Sequence, residues 1–212
     1  QSRLELGQLD QARAFIGDLE RYHPNYQRLG LLKIQAAFIA NQPQSALQEA
    51  NLLIRKVSKG YAGDAANRQE LEELRVRGIT ARGLASLQLG RMEDAEKDLS
   101  EVAKLSPNSA GAKINLARLY SSKRDFDQAL EYYESALASD ARNFDALTGV
   151  VSTLTAKKEF DGARAKIDKA MQALGEDKKT LPAMHYLKSD VYSAEKNYDS
   201  AESELKKAIE LD

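Results

Sequence analysis

The chain has 212 residues, 42% of them hydrophobic, with 31 basic side chains against 32 acidic ones and no cysteine. Charge so nearly balanced offers no single-sign field to a polyanion, so no nucleic-acid partner is expected. Without thiols there is no disulfide, thiolate metal site or cysteine nucleophile. No apolar run nears the roughly 18 residues of a membrane helix, so direct membrane insertion is not expected either.

Ala, Leu, Glu, Lys and Gln dominate, and no alternating β-branched run predicts a strand. Gln1 enters part-way through a first helix, and "LDQAR" at 9–13 opens a second, closed by the "YHPN" turn near residue 26. Residues 27–58 hold the next helix pair, with "PQSAL" at 43–47. In "SKGYAGDAANRQELEELRVRG", Gly60 and Gly63 predict a loop, and from about Ala65 a helix continues into residues 79–89. This insertion at 58–75 is either a contact site or a tolerated loop with a solvated charged face. The pair over 65–109 thus gains a long first helix, and "MEDAE" at 92–96 starts its second.

Over 110–143 the apolar spacing is clearest. Leu116, Leu119 and Tyr120 recur at helical steps, and Phe126, Ala129, Tyr133, Ala136 and Leu137 do so after a polar turn. Asp125 stands where its carboxylate can cap the second run. Residues 144–177 repeat the pattern with "FDGAR" at 160–164, "GEDKKTLP" at 175–182 predicts a longer turn, and 182–212 close with "YDSAE" at 198–202.

One alanine anchors each second-helix signature. Ala12 to Ala46, Ala95 to Ala129 and Ala129 to Ala163 are each 34 residues apart, while the other two intervals are 49 and 38. A 34-residue helix–turn–helix period resembles the tetratricopeptide repeat, best carried by Leu116, Ala117, Tyr120, Phe126, Ala129, Tyr133 and Ala136. The resemblance implies an all-α, right-handed superhelical solenoid of antiparallel helix pairs, one array over 1–212 of about six repeats with first helices on the concave side. The array is expected to be a piece of a longer protein whose exposed ends self-associate. Lys113, Arg82 and Lys188 depart from the family pattern, and only Pro24 and Pro107 fill the closing-proline position. The small alanines let helices cross closely, so the aromatics beside them, Tyr120, Phe126, Tyr133, Phe160 and Tyr198, are expected to be packing residues.

Chemistry finds little support. His23 and His185 are the only histidines and neither has metal-ligand spacing, so no metal or cofactor is expected. Glu131 with Glu134 and Glu202 with Glu204 lie on lysine-rich helix faces and read as solvated. An enzyme is therefore not expected, and the resemblance implies a non-catalytic scaffold or adaptor that binds a protein or peptide. The alternative is a structural spacer or self-associating segment of a larger protein, in a cytoplasmic or bacterial periplasmic setting.

The family's clamp for chaperone tails is not matched. Around Asn115 it would need partners where this chain has Thr80, Leu84, Asp145 and Gly149. A peptide groove is instead expected from Arg77, Thr80, Asn115, Arg118 and Ser122 on the earlier first helices. Thr148, Ser152, Tyr186 and Asp190 continue it on the later ones.

Overall fold

The computed structural model describes residues 3–60, 65–174 and 180–211. Eleven helices account for nearly all of them, and no strand occurs among the described residues. The chain divides into two compact units, Gln1–Leu105 and Ser106–Asp212.

The first unit holds α1 (Arg3–Tyr22), α2 (Leu29–Ile39), α3 (Pro43–Gly60), α4 (Ala65–Gln88) and α5 (Met92–Leu105). Each packs on its sequence neighbour, and α2 also touches α4. Ile34, Leu53, Val57, Leu71 and Leu74 form its main apolar cluster. Ala46 and Ala95 are completely buried, as a close crossing requires. Ala12 is not: it lies exposed on α1, because no other described helix crosses at that point. The turn expected ahead of Leu9 is also missing, since α1 runs unbroken through it. Gly60 ends α3 rather than opening a loop, while residues 61–64 of the insertion lie outside the described residues.

The second unit holds α6 (Ala110–Ser122), α7 (Phe126–Ser139), α8 (Phe144–Ala156), α9 (Phe160–Leu174), α10 (Leu181–Glu195) and α11 (Tyr198–Leu211). The turn expected at 175–182 falls largely outside the described residues. Side chains start three of these helices: Asp125, as the sequence suggests, and also Ser109 and Asn143 each accept a hydrogen bond from the backbone N–H three residues on. Ala129 and Ala163 are fully buried, and Val150, Val151, Ile167 and Val191 fill the space around them. Tyr133 packs in this core, and Tyr120 and Phe160 pack against it. Tyr198 does not pack; it is 67% exposed on α11, as is Ile209 three turns further along the same helix.

Each turn inside a helix pair ends in the same way. Asn41, Gly90, Arg124, Lys158 and Lys196 all have positive φ, between 53° and 73°. Each lies five residues before an anchor alanine. At Arg124, its N–H bonds to the Ser121 carbonyl and the next N–H bonds to the Tyr120 carbonyl, and the other four turns repeat this pair of bonds. This closes a helix by satisfying its last carbonyls, at a steric cost of about 1 kcal/mol or more wherever the left-handed residue is not glycine.

The departures from the family pattern are explained by polar partners. Arg82 on α4 forks onto Asp98 on α5 through two bonds of 2.7 Å, with the Asp98 side chain only 5% exposed. Lys188 bonds Asp168 at 2.6 Å, and Lys113 bonds the Ser139 hydroxyl at 2.8 Å. Arg82 and Asp98 stand in register with Leu116 and Tyr132 one repeat later, so an ion pair stands where the next repeat has an aliphatic and an aromatic side chain.

Candidate functional site

Within the second unit, the first helix α8 touches both its counterparts, α6 and α10, whereas the second helices α7, α9 and α11 make no comparable contact with one another. First helices therefore form the tighter layer. A cleft of about 330 Å³ opens in that layer between α6 and α8. Arg118 and Ser121 come from α6, Asp145, Thr148, Ser152 and Ala156 from α8, and Phe126 and Tyr133 of α7 reach it.

The cleft owes its depth to Gly149. A Cβ there would stand 2.2 Å from the Tyr133 ring, so the ring lies flush on the α8 backbone. Burial pushes the Tyr133 phenol above its ordinary pKa, while the nearby Ser121 hydroxyl and Arg118 guanidinium pull it back. Two hydroxyl oxygens, Ser121 Oγ and Thr148 Oγ1, are buried with no hydrogen-bond partner. The Ser121 hydroxyl thus biases the phenol without meeting hydrogen-bond geometry. Thr153, one turn along, behaves ordinarily and donates to the Gly149 carbonyl at 2.7 Å. At the mouth, Arg118 reaches Asp145 at 3.4 Å, with the two side chains 47% and 70% exposed.

Of the residues expected from sequence, Arg118, Thr148 and Ser152 come together here. Asn115 is half-buried on α6 and does not line the cleft. Ser122 bonds back to the Arg118 carbonyl, and Tyr186 and Asp190 are exposed on α10, away from the cleft lining. Arg77 and Thr80 belong to the first unit, where Arg77 pairs with Glu73 and Thr80 bonds the Val76 carbonyl. Sequence reasoning missed Ser121, Tyr133 and Asp145 as lining residues. Their signal was an apolar-looking tyrosine facing a glycine 16 residues later.

A second trough lies between α7 and α9. Leu137, Ala138, Ala170 and Ala173 line it, with Lys166 and Lys169 on its rim. Among the described residues no group of three or more His, Asp or Glu side chains is placed to hold a metal ion. No described helix is long and apolar enough to cross a membrane.

Family models described as tetratricopeptide repeat match residues 76–109, 114–178 and 182–212, well over half of the chain. The chain belongs to the tetratricopeptide repeat family. Members of this family generally mediate protein–protein interaction and are generally non-catalytic. Cellulose synthase operon protein C of Pseudomonas fluorescens (strain SBW25) is 26% identical over 135 residues, 64% of this chain and 10% of its own length. Type IV pilus assembly protein PilF of Pseudomonas aeruginosa is 33% identical over 90 residues, 42% of this chain and 36% of its own. The chain thus spans only a small part of the first of these relatives and about a third of the second.

Solved structures, tetratricopeptide repeat proteins among them, show the same fold. A thermophilic repeat protein of Thermus thermophilus superposes with a TM-score of 0.64 at 17% identity, covering 87% of this chain and 91% of its own. The nearly identical repeats of a putative kinesin light chain of Podosopora anserina reach 0.68 at 14% identity, covering 90% and 96%. MamA reaches 0.57 at 17% identity, covering 84% and 93%.

Proposed function

We propose that this tetratricopeptide repeat array is a non-catalytic scaffold that holds an extended segment of a partner protein against the first helices of residues 106–212. The observation that carries this reading is the cleft of about 330 Å³ between α6 and α8, lined by Arg118, Asp145, Ser152 and the Tyr133 ring. The exposed ion pair at its mouth is worth little to the fold and can part to meet polar groups of an extended chain. The similarity to a pilus assembly protein supports work within a multiprotein assembly.

Because the chain has no cysteine, Ser152→Cys creates a unique thiol at the cleft. A photo-crosslinker attached there should capture the partner, and Arg118→Ala should weaken the captured complex while leaving stability nearly unchanged. If the crosslinker at Ser152 captures nothing while one placed on residues 65–75 does, the binding surface is elsewhere.

A second reading, a spacer or self-associating segment, is supported by the apolar stripe Tyr198, Leu205 and Ile209 on α11. Light scattering distinguishes it: Leu205→Glu with Ile209→Glu should then lower the mass, and an unchanged mass refutes it.

A further inference from the structure

The first unit has a polar pocket where the second has stacked rings. In the second unit Tyr120 of α6 stacks on Tyr132 of α7, with ring centroids 5.5 Å apart and planes 3° apart. One repeat earlier the same two positions carry Ser86 on α4 and Asp98 on α5, whose short side chains leave that corner unfilled. A pocket of about 280 Å³ lies there, between the second helices α3 and α5 and over α4. Most of its polar groups are donors. Three of the five Arg82 N–H groups are used, two on Asp98 and one, at 3.5 Å, on the Asn51 side-chain oxygen. Ser86 is 2% exposed, lines the pocket, and its hydroxyl donates to no other described residue. At the rim, Arg91 and Lys97 are exposed, and neither forms an ion pair among the described residues. With Arg82 they set three cations against two carboxylates, the paired Asp98 and the exposed Asp94, so the lining carries one net positive charge.

We propose that this pocket between α3, α4 and α5 binds a carboxylate, with Arg91 and Lys97 pairing its charge and the Ser86 hydroxyl donating to one of its oxygens. An ionised carboxylate only accepts hydrogen bonds, which matches a lining whose unused groups are mainly donors. It also gives the buried Ser86 hydroxyl the acceptor that folded proteins almost always supply. One negative charge neutralises the lining, whereas a doubly charged phosphate would leave it negative beside Asp94 and Asp98. The Arg82–Asp98 fork stays intact, because the ligand needs neither partner released. The carboxylate is supplied either by a Glu or Asp side chain of a partner protein or by a small free acid.

The pocket shares no residue with the α6–α8 cleft, so its failure leaves the scaffold reading untouched. The test titrates the labelled whole chain and follows the backbone resonances of residues 82–98 by NMR. The probes are sodium acetate and an acetylated, amidated alanine heptapeptide with a central Glu. The controls are the same peptide with Gln, sodium chloride at matched ionic strength, and inorganic phosphate at pH 8. Both carboxylates should give saturating shifts at residues 82–98, the Gln peptide and chloride none, and phosphate should bind no more tightly than acetate. Arg91→Gln with Lys97→Gln should weaken carboxylate binding about fivefold or more and leave the unfolding midpoint unchanged, since both side chains are exposed. Ser86→Tyr, copying Tyr120, should fill the corner and abolish binding, and Ser86→Ala, which adds no bulk, should weaken it. A Glu peptide that binds more tightly than acetate identifies a partner's side chain as the source, and equal affinities identify a small free acid. No saturating shift with either carboxylate, tighter binding of phosphate, or unchanged affinity in the Arg91 and Lys97 double variant overturns the assignment.

Discussion

Replacing Gly149 with alanine should unfold the second unit more easily, although an exposed helix would gain from the same change. Alanine in a helix interior is favoured over glycine by about 1 kcal/mol. The new methyl would, however, meet three Tyr133 ring atoms at 2.2, 2.4 and 2.5 Å. Tyr133 is buried in the same cluster as Val150, Ile114 and Ala136, so the ring could yield only towards the cleft it lines, giving up that packing. Overpacking of this kind typically costs about 1–3 kcal/mol, and a clash with a rigid ring belongs at the upper end. The net loss should be about 2 kcal/mol, read from urea unfolding followed by circular dichroism. In a Tyr133→Ala background the obstacle is gone, and the same Gly149→Ala change should gain about 1 kcal/mol. A coupling of about 3 kcal/mol between the two sites follows. Stabilisation by Gly149→Ala in the wild-type background would refute the reasoning.

Arg82→Leu alone strands a buried carboxylate and should cost about 3–5 kcal/mol, whereas Arg82→Leu with Asp98→Tyr, copying Leu116 and Tyr132, should restore most of it in equilibrium unfolding. Arg124→Gly and Lys158→Gly should each raise stability by about 0.5 kcal/mol in thermal unfolding, relief of the left-handed backbone exceeding the entropy glycine adds. Ala163→Leu should cost about 1–3 kcal/mol by overpacking a fully buried crossing. Burial pushes the Glu204 carboxyl up, but hydrogen bonds with Lys207 and His185 and the charges of Lys207 and Lys188 hold it below its usual range. Its stabilisation is complete above the unfolded pKa of about 4.3 and lost as pH falls through the lower folded value, so over that window the unfolding midpoint of Glu204→Gln should fall less steeply than the wild type's.

The helix pairs were legible because burial at close crossings demands small side chains, and Ala46, Ala95, Ala129 and Ala163 repeat that demand at a readable interval. Ala12 carries the same signature without the burial, because local pattern does not report whether another helix lies across it. Arg82 and Lys188 read from sequence as departures; their meaning depends on Asp98 and Asp168, which only the packing brings near. The left-handed turn residues were invisible at Arg124, Lys158 and Lys196, since hydrogen bonds around the turn impose a conformation those residues do not favour locally. At the cleft, Thr148 and Ser152 follow from helical phase on α8, but Tyr133 reads from its spacing as packing alone. Its ring does pack, and the same residue also lines the cavity.

The Arg82–Asp98 fork also bears on how the chain finds its order. Repeats of similar length and pattern can exchange partners during folding, since any second helix offers nearly the same apolar stripe to any first helix. Pairing α4 with α7 instead of α5 would set Arg82 against Tyr132 and leave Asp98 facing the aliphatic Leu116. The Asp98 carboxylate would then be buried with nothing opposite it, a mismatch of several kcal/mol that the correct pairing avoids. The ion pair thus acts as an address label, telling two otherwise interchangeable hairpins apart.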